Sequence, residues 1–364
     1  MPKLIELLEN KSNDYIELEQ TFRRKFKKDL INGSIGQSFS TDKKFINNSY
    51  SVIVPSYRFP TYLNGLLISL DNQSYKKKFE VIVVNNKFKT GTPLDNIYKP
   101  NNYRLKFIDL SINYGRAFAR NVGLAYSTGS IISFVDSDMI LPYNFIQEHF
   151  SRVALFNNIL ITGLYQNIRP SSYKKLIKYL IKKRFRFKAS YKHDFRYEKV
   201  FTKLDKRINY NLSYNDIAKK FTILKATKNF KEFGFNRKYG VWTLPWMVLT
   251  ISMTLSRKYA TMIGGFDTRF KGWGFEDTHF GAKFIGSGGY ILPIKNCVAY
   301  RVKHRPRNGS EQAKNLEARK NFNRFKKFLN EELNTSKLSS IFKDKFSEER
   351  LKTAGLIKSE VIIN

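Results

Sequence analysis

The sequence predicts an α/β fold, a Rossmann-like domain built from βαβ units, and three observations carry that prediction. Between Tyr50 and Val135, short apolar segments alternate with segments of helical periodicity, the pattern of strands joined by crossover helices. The chain has 364 residues, 42% of them hydrophobic, enough for one large packed core. The fourth apolar segment ends on an acidic pair, Asp136 and Asp138, at the strand end where open α/β sheets collect ligands.

Residues 1–48 read as an N-terminal extension, in which Leu4, Ile5, Leu7 and Leu8, then Tyr15, Ile16 and Leu18, have helical spacing before a polar run over 32–48 that reads as a linker. The segments 50–55 (YSVIVP), 79–84 (FEVIVV), 105–110 and 130–135 (SIISFV) read as buried strands, and 62–70 and 115–126 (GRAFARNVGLAY) as the helices between them. A strand returns over 248–256, a helix opens at Glu276 after a glycine-rich stretch, and 297–302 is strand-like. In the tail, Ala318, Phe322, Phe325, Leu329 and Leu333 recur at spacings of three and four, so 311–333 reads as an amphipathic helix.

The formal charge is +35, which favours a polyanionic partner: nucleic acid, an anionic membrane face, an anionic polysaccharide or a nucleotide. Charge thus selects a class of partner and not a reaction. The excess is local, because residues 165–240 hold 22 Lys and Arg against 5 Asp and Glu. This insertion reads either as a solvated surface or as a basic, aromatic face for an anionic acceptor or membrane. The single cysteine, Cys297, excludes a disulfide within the chain and a cysteine-based zinc site. A reducing, cytoplasmic setting is expected. Residues 1–8 are too short and acidic for a secretory segment, and no stretch approaches the roughly 20 apolar residues of a spanning helix. A soluble protein, or one peripheral on the inner membrane face, is therefore expected.

Asp136 and Asp138 flank one residue directly after an apolar strand. Two hard oxygen ligands in that place suit a divalent cation that bridges nucleotide phosphates and neutralises charge on a leaving diphosphate. A simple turn is the alternative, since Asp and Ser are common turn formers.

Around this pair the chain resembles glycosyltransferase family 2. The resemblance runs through YSVIVPSYRF, EVIVVNN, NYGRAFARNVGLAYSTGSIISFVDSDM and a second block, IGGFDTRFKGWGFEDTHFG. That block looks like the acceptor-side motif of bacterial chondroitin-polymerase-type domains and of animal galactosyl- and N-acetylgalactosaminyltransferases. The resemblance implies a GT-A fold, a single domain over 49–305 with a mixed sheet flanked by helices, interrupted by the basic insertion and followed by a helical extension over 306–364. It also implies a hexosyl or N-acetylhexosaminyl transfer from a UDP-sugar, with Mn2+ or Mg2+, to a glycan, lipid-linked or protein acceptor.

The resemblance further assigns roles. Pro55, Ser56 and Tyr57 would wrap the nucleobase and ribose. Asn85 and Asn86 stand where the family usually has an Asp, and an amide can both donate and accept. Arg116 and Ser137 belong to the donor-binding set, and Arg120 would meet the diphosphate or orient Asp136, the alternative being a helix with surface arginines. Asp136 would be shared between metal and ribose, Asp138 would be the direct ligand, and His304 a further one, unless its neighbours Arg301, Lys303, Arg305 and Arg307 make this simply a phosphate-contacting loop. Asp277 would be the base that takes the acceptor proton in an inverting displacement. Glu276 would bind acceptor hydroxyls. Trp273, between Gly272 and Gly274, would present a flat face to a sugar ring on a mobile loop, or else be a structural tryptophan.

Two other classes are weighed. A nucleotidyltransferase needs a Gly- and Lys/Arg-rich triphosphate loop after the first strand, and VPSYRFP is not one. A basic nucleic-acid-binding protein fits the charge and the interleaved aromatics, but no helix-turn-helix, zinc-finger or RNP-like signature supports it.

Overall fold

The computed structural model describes residues 1–9, 16–35, 45, 47–57, 62–86, 96–181, 189–190, 194, 245, 248–303 and 310–363. In chain order the elements begin with α1 (Leu4–Glu9), α2 (Ile16–Phe26), β1 (Tyr50–Ser56), α3 (Leu63–Asp71), β2 (Glu80–Asn85) and β3 (Arg104–Leu110). Next come α4 (Arg116–Tyr126), β4 (Ile131–Val135), β5 (Met139–Ile140), α5 (Phe145–Leu155), β6 (Ile159–Ile168) and α6 (Pro170–Ile181). The second half holds β7 (Ser252–Ser256), α7 (Arg257–Met262), α8 (Glu276–Gly286), β8 (Tyr290–Val302), α9 (Glu311–Phe328), α10 (Thr335–Lys345), α11 (Glu348–Thr353) and β9 (Ile357–Ile363).

Among the described residues these strands form one mixed sheet in the order β5-β8-β6-β7-β4-β1-β2-β3-β9. The block β4-β1-β2-β3 is parallel, and antiparallel β7 and β9 border it on either side. Its strands read as unbroken apolar runs because both faces are covered. Val52 and Val54 of β1 share a core cluster with Leu63, Leu66, Leu67 and Leu70 of α3 and with Phe145 of α5. Ile53, pointing the other way, belongs to the cluster that holds Val122 and Leu124 of α4 and Phe280 and Phe284 of α8. Helix α4 lies so close to β1 that a Cβ on Gly123 would stand 2.2 Å from Cγ2 of Ile53.

Several buried polar groups inside these layers pair with one another. The Tyr50 hydroxyl lies 2.5 Å from Oγ of Ser133, Ser133 bonds Thr254, and Nδ1 of His149 is 2.7 Å from Oγ1 of Thr254. Burial, and then Arg152, push His149 well below its ordinary pKa, so the imidazole is neutral.

The structure corrects four expectations. The polar linker over 32–48 is not solvated throughout, because Ile35 and Phe45 are buried, as are Leu30 and Ile31 just before it. Arg152 and Glu148, both fully buried, hold it: Arg152 donates to the carbonyls of Leu30 and Gly33 at 2.7 Å, and Glu148 accepts from Ser34 and the Ile35 amide. The C-terminal extension is not wholly helical, since β9 pairs antiparallel with β3. Here Ser359 donates to Asp109 at 2.5 Å, and Glu360 pairs with Lys106 at 3.3 Å and Lys352 at 3.2 Å. The expected tail helix ends at Phe328 rather than Leu333. Both extensions also join the main core: Leu4, Leu8, Phe325, Phe328, Phe342 and Leu351 are buried in one cluster with α4 and α8. Of the basic insertion, residues 165–168 belong to β6 and 170–181 to α6, and nearly all of the remainder, including Lys182, Lys183 and Arg184, lies outside the described residues.

Candidate active site

Parallel pairing brings the ends of β1, β2 and β4 to one edge of the sheet. Ser56 stands in register with Asn85 and Asn85 with Asp109, and β4 stops one residue before Asp136. The turn after β4 is held by the Asp136 amide donating to the Ile251 carbonyl and by the Met139 amide donating to the Asp136 carbonyl. Antiparallel pairing of β5 with β8 then sets Arg301 beside Asp138, with Nε 3.2 Å from Oδ2.

A cleft of about 520 Å³ opens over this edge, and Pro55, Ser56, Tyr57, Asn86, Arg116, Arg120, Asp136, Ser137, Asp138 and Trp273 all line it. Most of the residues expected at the donor therefore converge. Asn85 does not line the cleft: it is fully buried, its amide donates to Asp109 Oδ1 at 2.9 Å, and it braces the ends of β2 and β3. Asn86 does line it, although its polar atoms secure the neighbouring loop, donating to Asn113 at 2.7 Å and accepting from the Tyr114 amide at 2.9 Å. His304 lies outside the described residues.

Arg120 is the electrostatic centre. It lies one turn beyond Arg116 on α4, is 1% exposed, and reaches Glu276 Oε1 at 3.0 Å and Asp136 Oδ1 at 3.3 Å. Its guanidinium also sits 5.3 Å from the centroid of the Phe266 ring. A planar donor with a fixed charge suits such a double pairing. Arg116 adds a second contact to Glu276 Oε1 at 3.5 Å.

Glu276 and Asp277, adjacent at the start of α8, are driven apart in proton affinity. Burial pushes Glu276 up, but Arg116 and Arg120 outweigh it and hold that carboxyl below its ordinary value. Burial, and then the Glu276 carboxylate, push Asp277 up to about 7 against the pull of Arg120. A neighbouring pair separated in this way is a recognised mark of acid–base assignment. The expectation that Glu276 meets acceptor hydroxyls is corrected, because it is 2% exposed, does not line the cleft, and is engaged by two arginines. Asp277 is likewise outside the cleft lining, partly buried, with Oδ1 accepting from the Thr278 amide at 2.9 Å.

Trp273 is 39% exposed beside the cleft, which removes the reading of a buried structural tryptophan. The residues that sequence reasoning missed include Asn167, Lys314 and Glu317. The first sits on a strand with no local motif, and the last two on a tail helix that shows only an amphipathic pattern.

The acidic pair fits a divalent cation by its donor chemistry. Asp136 and Asp138 present hard oxygens to one cleft, and Mg2+-like ions commonly take one or two carboxylates and complete their shell with phosphates and water. No cluster of three or more His, Cys, Asp or Glu that could hold a metal occurs among the described residues.

Comparison with known proteins places the chain. The model described as glycosyl transferase family 2 matches residues 51–218, and one described as the N-terminal domain of galactosyltransferase matches residues 246–305. An uncharacterized glycosyltransferase of Bacillus subtilis, YfnE, is 26% identical over 264 residues, covering 70% of this chain and 64% of that protein. The poly(ribitol-phosphate) beta-N-acetylglucosaminyltransferase TarS of Staphylococcus aureus is 38% identical over 136 residues, covering 35% of this chain and 23% of that protein. The solved structure of TarS residues 1–349 is 15% identical, with a TM-score of 0.45, covering 84% of this chain and 72% of that one. The chain thus spans less than two thirds of the length of these curated relatives. Residues 51–218 thus match glycosyltransferase family 2, and their described part lies in a mixed α/β sheet flanked by helices.

Proposed function

We propose that this chain is a metal-dependent, inverting glycosyltransferase that moves a hexosyl or N-acetylhexosaminyl group from a UDP-sugar to a hydroxyl of a glycan or glycoconjugate. The observation that carries the reading is one cleft gathering Pro55, Ser56 and Tyr57 from β1, Arg116 and Arg120 from α4, the acidic pair after β4, and Trp273 from the second half of the chain.

In this reading Pro55 to Tyr57 and Asn86 hold the nucleoside. Arg120 fixes Asp136, and Arg301 and Arg116 add positive charge near the diphosphate. Asp136 and Asp138 would hold Mn2+ or Mg2+, with His304 as a further ligand, and the cation would neutralise charge on the departing diphosphate. Asp277 takes the acceptor proton. Its pKa of about 7 lets it be deprotonated at neutral pH while remaining basic enough to accept that proton. Trp273 offers its ring to the acceptor sugar. The relative named as an N-acetylglucosaminyltransferase supports the N-acetylhexosaminyl option. Among the described residues no helix is long and apolar enough to cross a membrane; the outer face of α6, with Lys174, Lys175, Lys178 and the exposed Tyr179, supports peripheral contact with an anionic membrane at the inner face.

The test is a panel of UDP- and GDP-sugars with Mn2+ or Mg2+, read as nucleotide release, for the native chain, Asp138→Ala and Asp277→Asn. At least one donor should turn over in a cation-dependent way, Asp138→Ala should remove that dependence, and Asp277→Asn should lower kcat by roughly 10²–10⁴-fold. No turnover of any donor, together with tight salt-sensitive RNA or DNA binding, would overturn the reading. Full activity in Asp277→Asn would remove the base assignment.

A further inference from the structure

Helix α9 lies beyond both family matches, the second of which ends at residue 305, yet Lys314 and Glu317 from this helix line the cleft. The helix meets the loop that carries Trp273 at several polar points. The Trp273 amide donates to Glu317 Oε2 at 2.9 Å. The side-chain amide of Asn321 donates to the Lys271 carbonyl at 2.8 Å and to the Trp273 carbonyl at 3.1 Å, and Arg324 donates to its Oδ1 at 2.7 Å, which fixes the amide orientation. The Lys314 ammonium sits 4.6 Å from the Trp273 ring centroid, within cation–π range.

The loop backbone needs such support. Gly272, Gly274 and Phe275 have φ of 75°, 94° and 71°, and a non-glycine residue in that region is uncommon and strained. A Cβ on Gly272 would stand 2.6 Å from the Glu317 carboxyl carbon, so the loop lies directly on that side chain. Strained backbone persists where its surroundings over-determine it, and here three side chains of one helix do so.

We propose that α9 is a clamp for the acceptor side of the cleft, with Glu317 as the positioning residue that holds the Trp273 loop. The functional meaning rests on the reading of Trp273 as the acceptor platform; the clamp itself is a statement about the loop. Donor residues sit on β1, α4 and the turn after β4, whereas Glu317 bonds the Trp273 loop. Loss of Glu317 should therefore release the loop and leave the sheet intact.

The experiment uses the full chain and two variants, Glu317→Ala and Glu317→Gln, read by amide hydrogen exchange of peptides spanning residues 270–276. Glu317→Ala should speed exchange at the Trp273 amide by about tenfold or more, the scale of a lost hydrogen bond to a charged acceptor. Protection in β1 and β4 should stay unchanged. Glu317→Gln keeps an oxygen acceptor and should restore most of the protection. Unchanged exchange in Glu317→Ala, equally fast exchange in Glu317→Gln, or acceleration spread across the sheet would each overturn the clamp. A panel with no turnover would sink the glycosyltransfer reading and leave the exchange result standing.

Discussion

Replacing Glu276 with Gln should move the acid limb of activity to lower pH. In the base role proposed for Asp277 only the deprotonated carboxylate takes the acceptor proton, so kcat/KM for the native chain should rise through about pH 7 and level off above it. Glu276 is the second cause of that raised value after burial, and removing its charge lets Arg116 and Arg120 act more strongly on Asp277. Both effects lower the pKa. At an effective dielectric of about 20, like charges some 6 Å apart repel by roughly 3 kcal/mol. Here the repulsion is already reduced, because Arg120 at 3.0 Å and Arg116 at 3.5 Å largely compensate the Glu276 charge. About half of it, near the 1.36 kcal/mol of one pH unit, is the reasonable magnitude.

The assay is kcat/KM for donor turnover from about pH 5 to 9 at constant ionic strength. At pH 6 the native chain should run at about a tenth of its own plateau and Glu276→Gln at about half. Stability should follow with the same sign. The raised pKa of Asp277 stabilises the fold below its unfolded value, and that contribution is lost as pH rises through about 7. Glu276→Gln should flatten this loss. An acid limb that stays at about 7, or shifts to higher pH, would refute the coupling.

Two further outcomes concern the scaffold. Arg152→Met should cost about 3–5 kcal/mol, because it strands the fully buried Glu148 carboxylate and removes the donors to Leu30 and Gly33. Calorimetry should show a fall in Tm on the order of 10 °C, and an unchanged Tm would dismiss the latch. Gly123→Ala sets a helix-propensity gain of about 1 kcal/mol against overpacking of about 1–3 kcal/mol. With its Cβ at 2.2 Å from the stiff, branched Ile53, the clash should win, and denaturant unfolding should show a lower midpoint; a rise would refute the close packing.

The parallel strands were legible because their burial on both faces writes itself as unbroken apolar runs, so YSVIVP and EVIVV needed no tertiary information. Asp136 and Asp138 were legible for a related reason: a charge placed directly after such a run must lie at a sheet edge. By contrast β9 (IKSEVII) alternates and carries charge, because one edge of it faces solvent, and a segment of that kind resembles any surface strand or loop. Asn85 and Glu276 were misplaced because a motif states the order of residues and not which side chains a neighbouring helix will cover. The short strand β5 escaped notice since two residues carry no periodicity.

Along the chain, then, the residues themselves determined the α/β class, the strand ends, the acidic pair and the family resemblance, since each depends on burial or on neighbours within a few positions. Only the tertiary structure decided that Arg120 would span 156 residues of sequence to reach Glu276 and that Arg301 would stand against Asp138. It alone set Glu317 beneath Trp273. Those contacts depend on which helix faces which loop across the sheet, and that choice is made by the whole core at once.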